Sequence, residues 1–154
     1  MLKFVGFVAM IDIEGVAVAY VDTNIFIYFV ESSSTLGERA RAWIDALRHA
    51  DIPLVVSRLT LLECLYGPAK HGDEELISAY RNLLEDASIV EMQELEHHIL
   101  KDAAMKGGKL GLKLQDSIHY FTALHCHCDL LLTNDARFRS TGSMRVMSIN
   151  PSTS

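Results

Sequence analysis

Three apolar runs, "VAVAYV" ending before Asp22, "IPLVVS" before Arg58 and "DLLLT" before Asn134, set the tightest limit on the fold. Each is only five or six residues long and does not alternate with polar residues. A strand of that kind must be covered on both faces, which is the habit of parallel sheets. Parallel strands need long crossovers, and the intervening segments carry helical periodicity. In residues 35–49, Leu36, Ala40, Trp43, Ile44 and Leu47 recur at spacings of three and four, with Arg39, Arg41, Asp45 and Arg48 on other faces. The pattern predicts an α/β domain with a mainly parallel sheet and right-handed crossovers.

The remaining segments fit this scheme. Residues 4–21 read as strand, with a turn at Glu14-Gly15, and "NIFIYFVE" as a short apolar helix. Ser57 offers an N-cap for a helix through Tyr66, stopped by Gly67-Pro68. Residues 73–86 are expected to be helical with Leu76, Ile77, Tyr80, Leu83 and Leu84 inward, "ASIVEM" a core strand, and residues 93–106 a helix broken at Gly107-Gly108. Residues 114–128 follow as a helix, and "SMRVMSI" as the last strand. The expected division is an N-terminal extension over 1–16 forming an added strand, the main domain over 17–149, and a frayed tail over 150–154. Tyr66, Tyr80, Phe121 and Trp43 are expected in the core.

Fourteen Lys and Arg against twenty Asp and Glu give a net charge of −6, so a polyanionic partner would require metal ions or a local basic strip. Cys64, Cys126 and Cys128 are too few for a disulfide framework, and the odd count suits a reducing, cytoplasmic setting. The apolar start is interrupted by Asp12 and Glu14 with no cleavage site after it, and no run approaches the roughly 20 apolar residues of a membrane helix. No membrane association is expected.

In open parallel sheets, ligands gather outside the carboxyl ends of the strands. Asp22 closes one strand and Asp135 lies just past another. Glu63 sits in the helix after "PLVVS", flanked by Leu61, Leu62, Cys64 and Leu65, and Asp116 falls in the first turn of the helix after the glycine-rich segment. Carboxylates brought together this way repel unless one is protonated or a cation neutralises them. Mg²⁺ or Mn²⁺ prefers such oxygen donors. Two such ions about 4 Å apart clamp the attacking water and leaving oxygen of a phosphodiester, so the implied chemistry is phosphodiester hydrolysis.

The stretches "YVDTNIFIY", "SRLTLLECLYG", "LQDSIHYFTAL" and "LLTNDARF", in this order over residues 18–149, resemble the PIN-domain ribonucleases, above all the toxin half of VapBC-type toxin-antitoxin pairs. The resemblance implies a three-layer α/β/α sandwich and a Mg²⁺- or Mn²⁺-dependent endoribonuclease that leaves 5′-phosphate and 3′-hydroxyl ends. It further implies a homodimer, and an antitoxin protein whose C-terminal segment blocks the site. Asp22, Glu63, Asp116 and Asp135 match the family's metal-binding acids, and Thr133 and Asn24 match positions that support them through hydrogen bonds. Two features depart from the family: 21 residues precede Asp22, and "HCHCD" at 125–129 is rich in potential ligands.

Other polar residues carry weaker signals. Lys109 and Lys113, with Lys106, form the only locally basic strip and are candidates for holding RNA phosphates; Arg137, with Arg139, is a second candidate set. His119, one turn after Asp116, reads as a packed or surface histidine that could also donate to a metal ligand. The alternate residues of His125, Cys126, His127 and Cys128 point to different sides of a helix, which argues against zinc. A haloacid-dehalogenase-like phosphotransferase would want an acid where Asn24 stands, and no glycine-rich phosphate loop supports a nucleotide-binding module. The alternatives are a stand-alone RNA-processing nuclease of the same fold and a catalytically silent RNA- or protein-binding domain.

Overall fold

The computed structural model describes residues 6–150 except 9, 136 and 141. Five strands, β1 (Ala19–Val21), β2 (Leu54–Ser57), β3 (Glu91–Gln93), β4 (Leu130–Thr133) and β5 (Arg145–Ser148), form one sheet in the order β3-β2-β1-β4-β5. Every pairing is parallel. Consecutive residues of the short apolar runs face opposite layers. Ala19, Val21, Leu54, Val56, Leu130 and Leu132 belong to one core, and Tyr20, Val55 and Leu131 to the other. This double coverage is why the strands do not alternate in sequence.

The first core is closed by α1 (Thr23–Glu31), α2 (Thr35–His49), α3 (Arg58–His71) and α4 (Glu74–Leu84). The second is closed by α5 (His97–Lys106) and α6 (Leu114–His125), joined through a 3₁₀ turn at Gly107–Leu110. The result is a three-layer α/β/α sandwich. The helix at residues 35–49 has the expected limits, with Ala40, Trp43, Ile44 and Leu47 buried. The chain leaves β1 toward β2 on one side and returns to β4 on the other, so the crevice between the carboxyl ends of β1 and β4 is a topological switch point.

Several local expectations give way to packing. The strand expected over residues 4–21 is confined to Ala19–Val21, residues 6–8 are helical, and no strand precedes Ala19 among the described residues. Both edges of β1 are taken by β2 and β4, so the preceding segment cannot pair with it as a hairpin. It buries Phe7 and Val16 against the first core, with Ile11 and Ile13 packed beside them, and the turn at Glu14-Gly15 is present. Asp129 accepts hydrogen bonds from the Ala17 and Val18 amides, 2.7 and 2.9 Å, and aims the chain into the sheet. Residues 1–5 and 151–154 lie outside the described residues, including nearly all of the expected tail.

Helix α3 runs past Gly67-Pro68 to His71. Proline's fixed φ suits a helix and removes only one hydrogen bond, and the left-handed Gly72, φ 68°, ends the helix instead. Tyr66 is 75% exposed rather than core, because it lies two residues, some 200° of helix, from the inward Cys64. Trp43, Tyr80 and Phe121 are buried. Strand β3 begins only at Glu91 because Asp86 closes a turn, accepting from the Ser88 amide and hydroxyl while its carbonyl takes the Ile89 and Val90 amides. Helix α5 therefore starts at His97, and α6 ends at His125 rather than at Cys128.

Candidate active site

The carboxyl edge of the sheet gathers the four acids named above. Asp22, 4% exposed, is the N-cap of α1 and accepts from the Thr23 amide at 2.9 Å. That is the ordinary use of Asp after a strand, but its other oxygen does more. Oδ2 accepts from the Thr133 hydroxyl at 2.7 Å and from Asn24 Nδ2 at 3.2 Å. Thr133, at the end of β4, also accepts from the Asp135 amide at 2.9 Å, so one hydroxyl links the first and last acids. Asn24 in turn accepts from the Asn134 amide at 3.2 Å and ties α1 to the loop after β4.

Glu63 projects from α3 toward α1 and α6. Its Oε1 accepts from the Thr23 hydroxyl at 2.8 Å and pairs with His119 Nε2 at 2.7 Å. The same nitrogen is 3.9 Å from Asp22 Oδ1, so His119 spans the two acids. Burial pushes the Glu63 carboxyl up, but the hydrogen bond and charge of His119 and the Thr23 hydroxyl outweigh it and hold the group below the usual Glu value. Burial alone would lower the His119 pKa; Glu63, Asp22 and Asp116 overcome it and raise the value.

Asp116 lies in the first turn of α6. Gly107, on the 3₁₀ turn, makes this approach possible: a Cβ there would stand 1.7 Å from Ser117 Oγ. The glycine-rich segment is thus a tight turn packed on α6 rather than a pliable loop. Across from Asp116, Arg137 embraces Asp135 through Nε and Nη2, the latter at 2.7 Å, and its Nη2 also reaches Asp116 Oδ2 at 3.3 Å. Burial and the charge of Asp135 push the Asp116 carboxyl above the ordinary Asp range against the pull of Arg137, with Asp22 adding to the rise. Hydrogen bonds from Arg137 hold Asp135 below it.

A guanidinium therefore stands where two acids would otherwise repel, in the manner of a counter-ion. Among the described residues, no three His, Cys, Asp or Glu side chains converge closely enough to hold a metal as they stand. The donor chemistry nevertheless suits a hard divalent cation: carboxylate oxygens, with Asp116 pushed up by burial and by Asp135, and a half-exposed arginine between two of the acids. His119, Thr23 and Tyr20 are the site residues that the sequence understates. The one signal for His119 is its placement a helical turn after Asp116. Lys113 lies close enough to act on Asp135, whereas Lys106 pairs with Asp102 at 3.3 Å and Lys109 stays exposed on the 3₁₀ turn. The His125–Cys128 stretch is occupied locally, with His125 on Asp102 at 2.8 Å and Cys126 on Gln93 at 3.5 Å.

An all-parallel α/β/α sandwich with acids at the switch point of its central strands is the architecture that likeness to known proteins then narrows to one family. The sequence profile of the PIN domain matches residues 19–143, and the chain belongs to that family. No curated protein matches the chain by sequence. Solved structures do so by fold. The DNA-bound VapBC of Salmonella typhimurium aligns with a TM-score of 0.67 at 16% identity, over 86% of this chain and 98% of that one. A toxin-antitoxin complex from Klebsiella pneumoniae gives 0.64 at 23% identity, over 85% and 97%. A sarcin-ricin-loop-cleaving VapC toxin of Mycobacterium tuberculosis gives 0.58 at 11%, over 73% and 86%.

Proposed function

We propose that this protein is a Mg²⁺- or Mn²⁺-dependent endoribonuclease and the toxin of a type II toxin-antitoxin pair. The observation that carries the reading is the linkage of Asp22, Glu63, Asp116 and Asp135 at one sheet edge through Thr133, His119 and Arg137 in a PIN-family chain. The RNA-cleaving and antitoxin-bound neighbours support the substrate class and the partner. A homodimer belongs to the same reading, with Ile27, Leu62 and Tyr66 as exposed apolar residues on α1 and α3. So does the cytoplasm, in keeping with three free cysteines. No helix among the described residues is long and apolar enough to cross a membrane.

In this mechanism Asp22, Asp116 and Asp135 would hold the cation directly, and Glu63 would bind it through water or complete a second site. A bound divalent ion supplies the positive charge these acids lack and makes water acidic enough to attack phosphorus near neutral pH. The protein's own part is arrangement. Thr133 and Asn24 fix Asp22 by donating to Oδ2, and His119 and Thr23 fix Glu63. Arg137, which pairs with Asp135 and Asp116, would with Lys109 and Lys113 be the group to hold backbone phosphates once a cation took over the neutralisation of these acids.

Single-turnover cleavage of mixed RNA with Mn²⁺ tests the reading. Wild type should leave 5′-phosphate ends, whereas Asp22→Asn and Asp116→Asn should lose at least about a hundredfold in rate, the scale of removing a key electrostatic group. Equal survival of RNA with all three proteins overturns it. Growth arrest on expression, relieved by the protein encoded next to this one, separates a toxin from a stand-alone processing enzyme.

A further inference from the structure

Beneath the acids runs a buried polar line that continues inward from the His119–Glu63 contact. Thr60 lies within hydrogen-bond reach of the Tyr20 hydroxyl, Tyr20 meets His119 Nδ1 at 2.5 Å, and His119 Nε2 meets Glu63 Oε1 at 2.7 Å. Tyr20 comes from β1, Thr60 and Glu63 from α3, and His119 from α6. Tyr20 and Thr60 are fully buried and His119 is 2% exposed, so solvent does not compete for these bonds. A Tyr-His pair packed in an apolar layer is costly, and well-packed apolar residues of similar volume often serve stability as well or better. The line ends on a carboxylate at the sheet edge, and this gives it a purpose.

We propose that His119, oriented by Tyr20, is a positioning residue that holds the Glu63 carboxylate facing Asp22 and so sets the affinity of the site for a divalent cation. In the 2.7 Å contact the carboxylate oxygen is the acceptor, so Nε2 donates to Oε1. The Tyr20 hydroxyl meets the other ring nitrogen, Nδ1, at 2.5 Å and so fixes the plane of the imidazole. Oε1 also takes the Thr23 hydroxyl, so two donors pin this one oxygen. Outer partners of this kind typically change metal affinity by about 10–100-fold when removed. The inference rests on the cation-binding reading above.

Calorimetric titration of Mn²⁺ into the purified protein, without RNA, tests it. His119→Leu should weaken binding about tenfold, and Tyr20→Phe, which frees the ring to turn, about threefold. His119→Gln, whose amide can donate to Glu63 from nearly the same place, should restore affinity to within about threefold of wild type. Should His119→Leu fail to fold, His119→Asn takes its place, because its shorter amide cannot reach Glu63. Wild-type affinity in a folded His119→Leu or Asn variant, or in Tyr20→Phe, overturns the inference, whatever the change in Tm. Failure of wild type to bind Mn²⁺ overturns the cation reading and this inference together. Binding that is lost in Asp22→Asn but untouched in the His119 variants overturns this inference alone.

Discussion

Asp116 shows what the site costs the fold. Its carboxyl is harder to ionise in the folded chain than in water, because it is partly buried and faces Asp135 and Asp22. A folded-state pKa above the unfolded one means that the charged form at neutral pH opposes folding, and that the penalty disappears as pH falls below the unfolded value. Asp116→Asn removes the charge at every pH. In metal-free buffer at neutral pH it should raise Tm by about 2 °C, and calorimetry with added Mn²⁺ should show further stabilisation in wild type only. A lower Tm in the variant would mean that the Arg137 contact outweighs the repulsion. At this scale the four acids were legible because each sits at a motif position and polar groups among Leu61, Leu62, Cys64 and Leu65 are unusual. His119 was legible only as a second choice, since a merely packed histidine and one that donates to an acid look the same in sequence. Its partners Tyr20 and Glu63 lie 99 and 56 residues away, and only the fold joins them.

The 3₁₀ turn at Gly107–Leu110 and the start of α6 act as one piece. Gly107 packs against Ser117 so closely that even a methyl group must displace the helix carrying Asp116. Gly107→Ala should destabilise the protein by about 1–3 kcal/mol, the usual cost of overpacking. It should also reduce cleavage more than denaturation explains, and Gly108→Ala, which meets nothing within 4 Å, serves as the control. Equal effects at both positions would contradict the close-packing account. Helices of strong period were readable to the residue, as α2 shows with Trp43 and Leu47 inward. Boundaries decided by hydrogen bonding were not. Asp86 delays β3, Gly72 rather than Gly67 ends α3, and pairing of β1 on both sides leaves the first residues no strand partner.

For the molecule as a whole, the parallel sandwich was visible in three unbroken apolar runs, whereas the role of the leading segment was hidden by its equal apolarity. Phe7 and Val16 are nearly buried in the first core, and the Arg39 guanidinium lies over the Phe7 ring at 5.1 Å. Among the described residues, none of residues 6–16 hydrogen-bonds to the four acids. Deleting residues 1–16 should therefore lower Tm, with ~2 kcal/mol from Phe7 alone, yet leave Mn²⁺-dependent cleavage of the folded protein within about twofold of wild type. Loss of cleavage in a folded truncation would give the segment a part in the site. The central claim is that a divalent cation reconciles four crowded acids, and anomalous diffraction from crystals soaked in Mn²⁺ addresses it most directly. The account predicts a manganese peak bounded by Asp22, Asp116 and Asp135, with Arg137 turned away from Asp116. Well-ordered crystals with no peak among those acids, or with manganese bound only elsewhere, would contradict it.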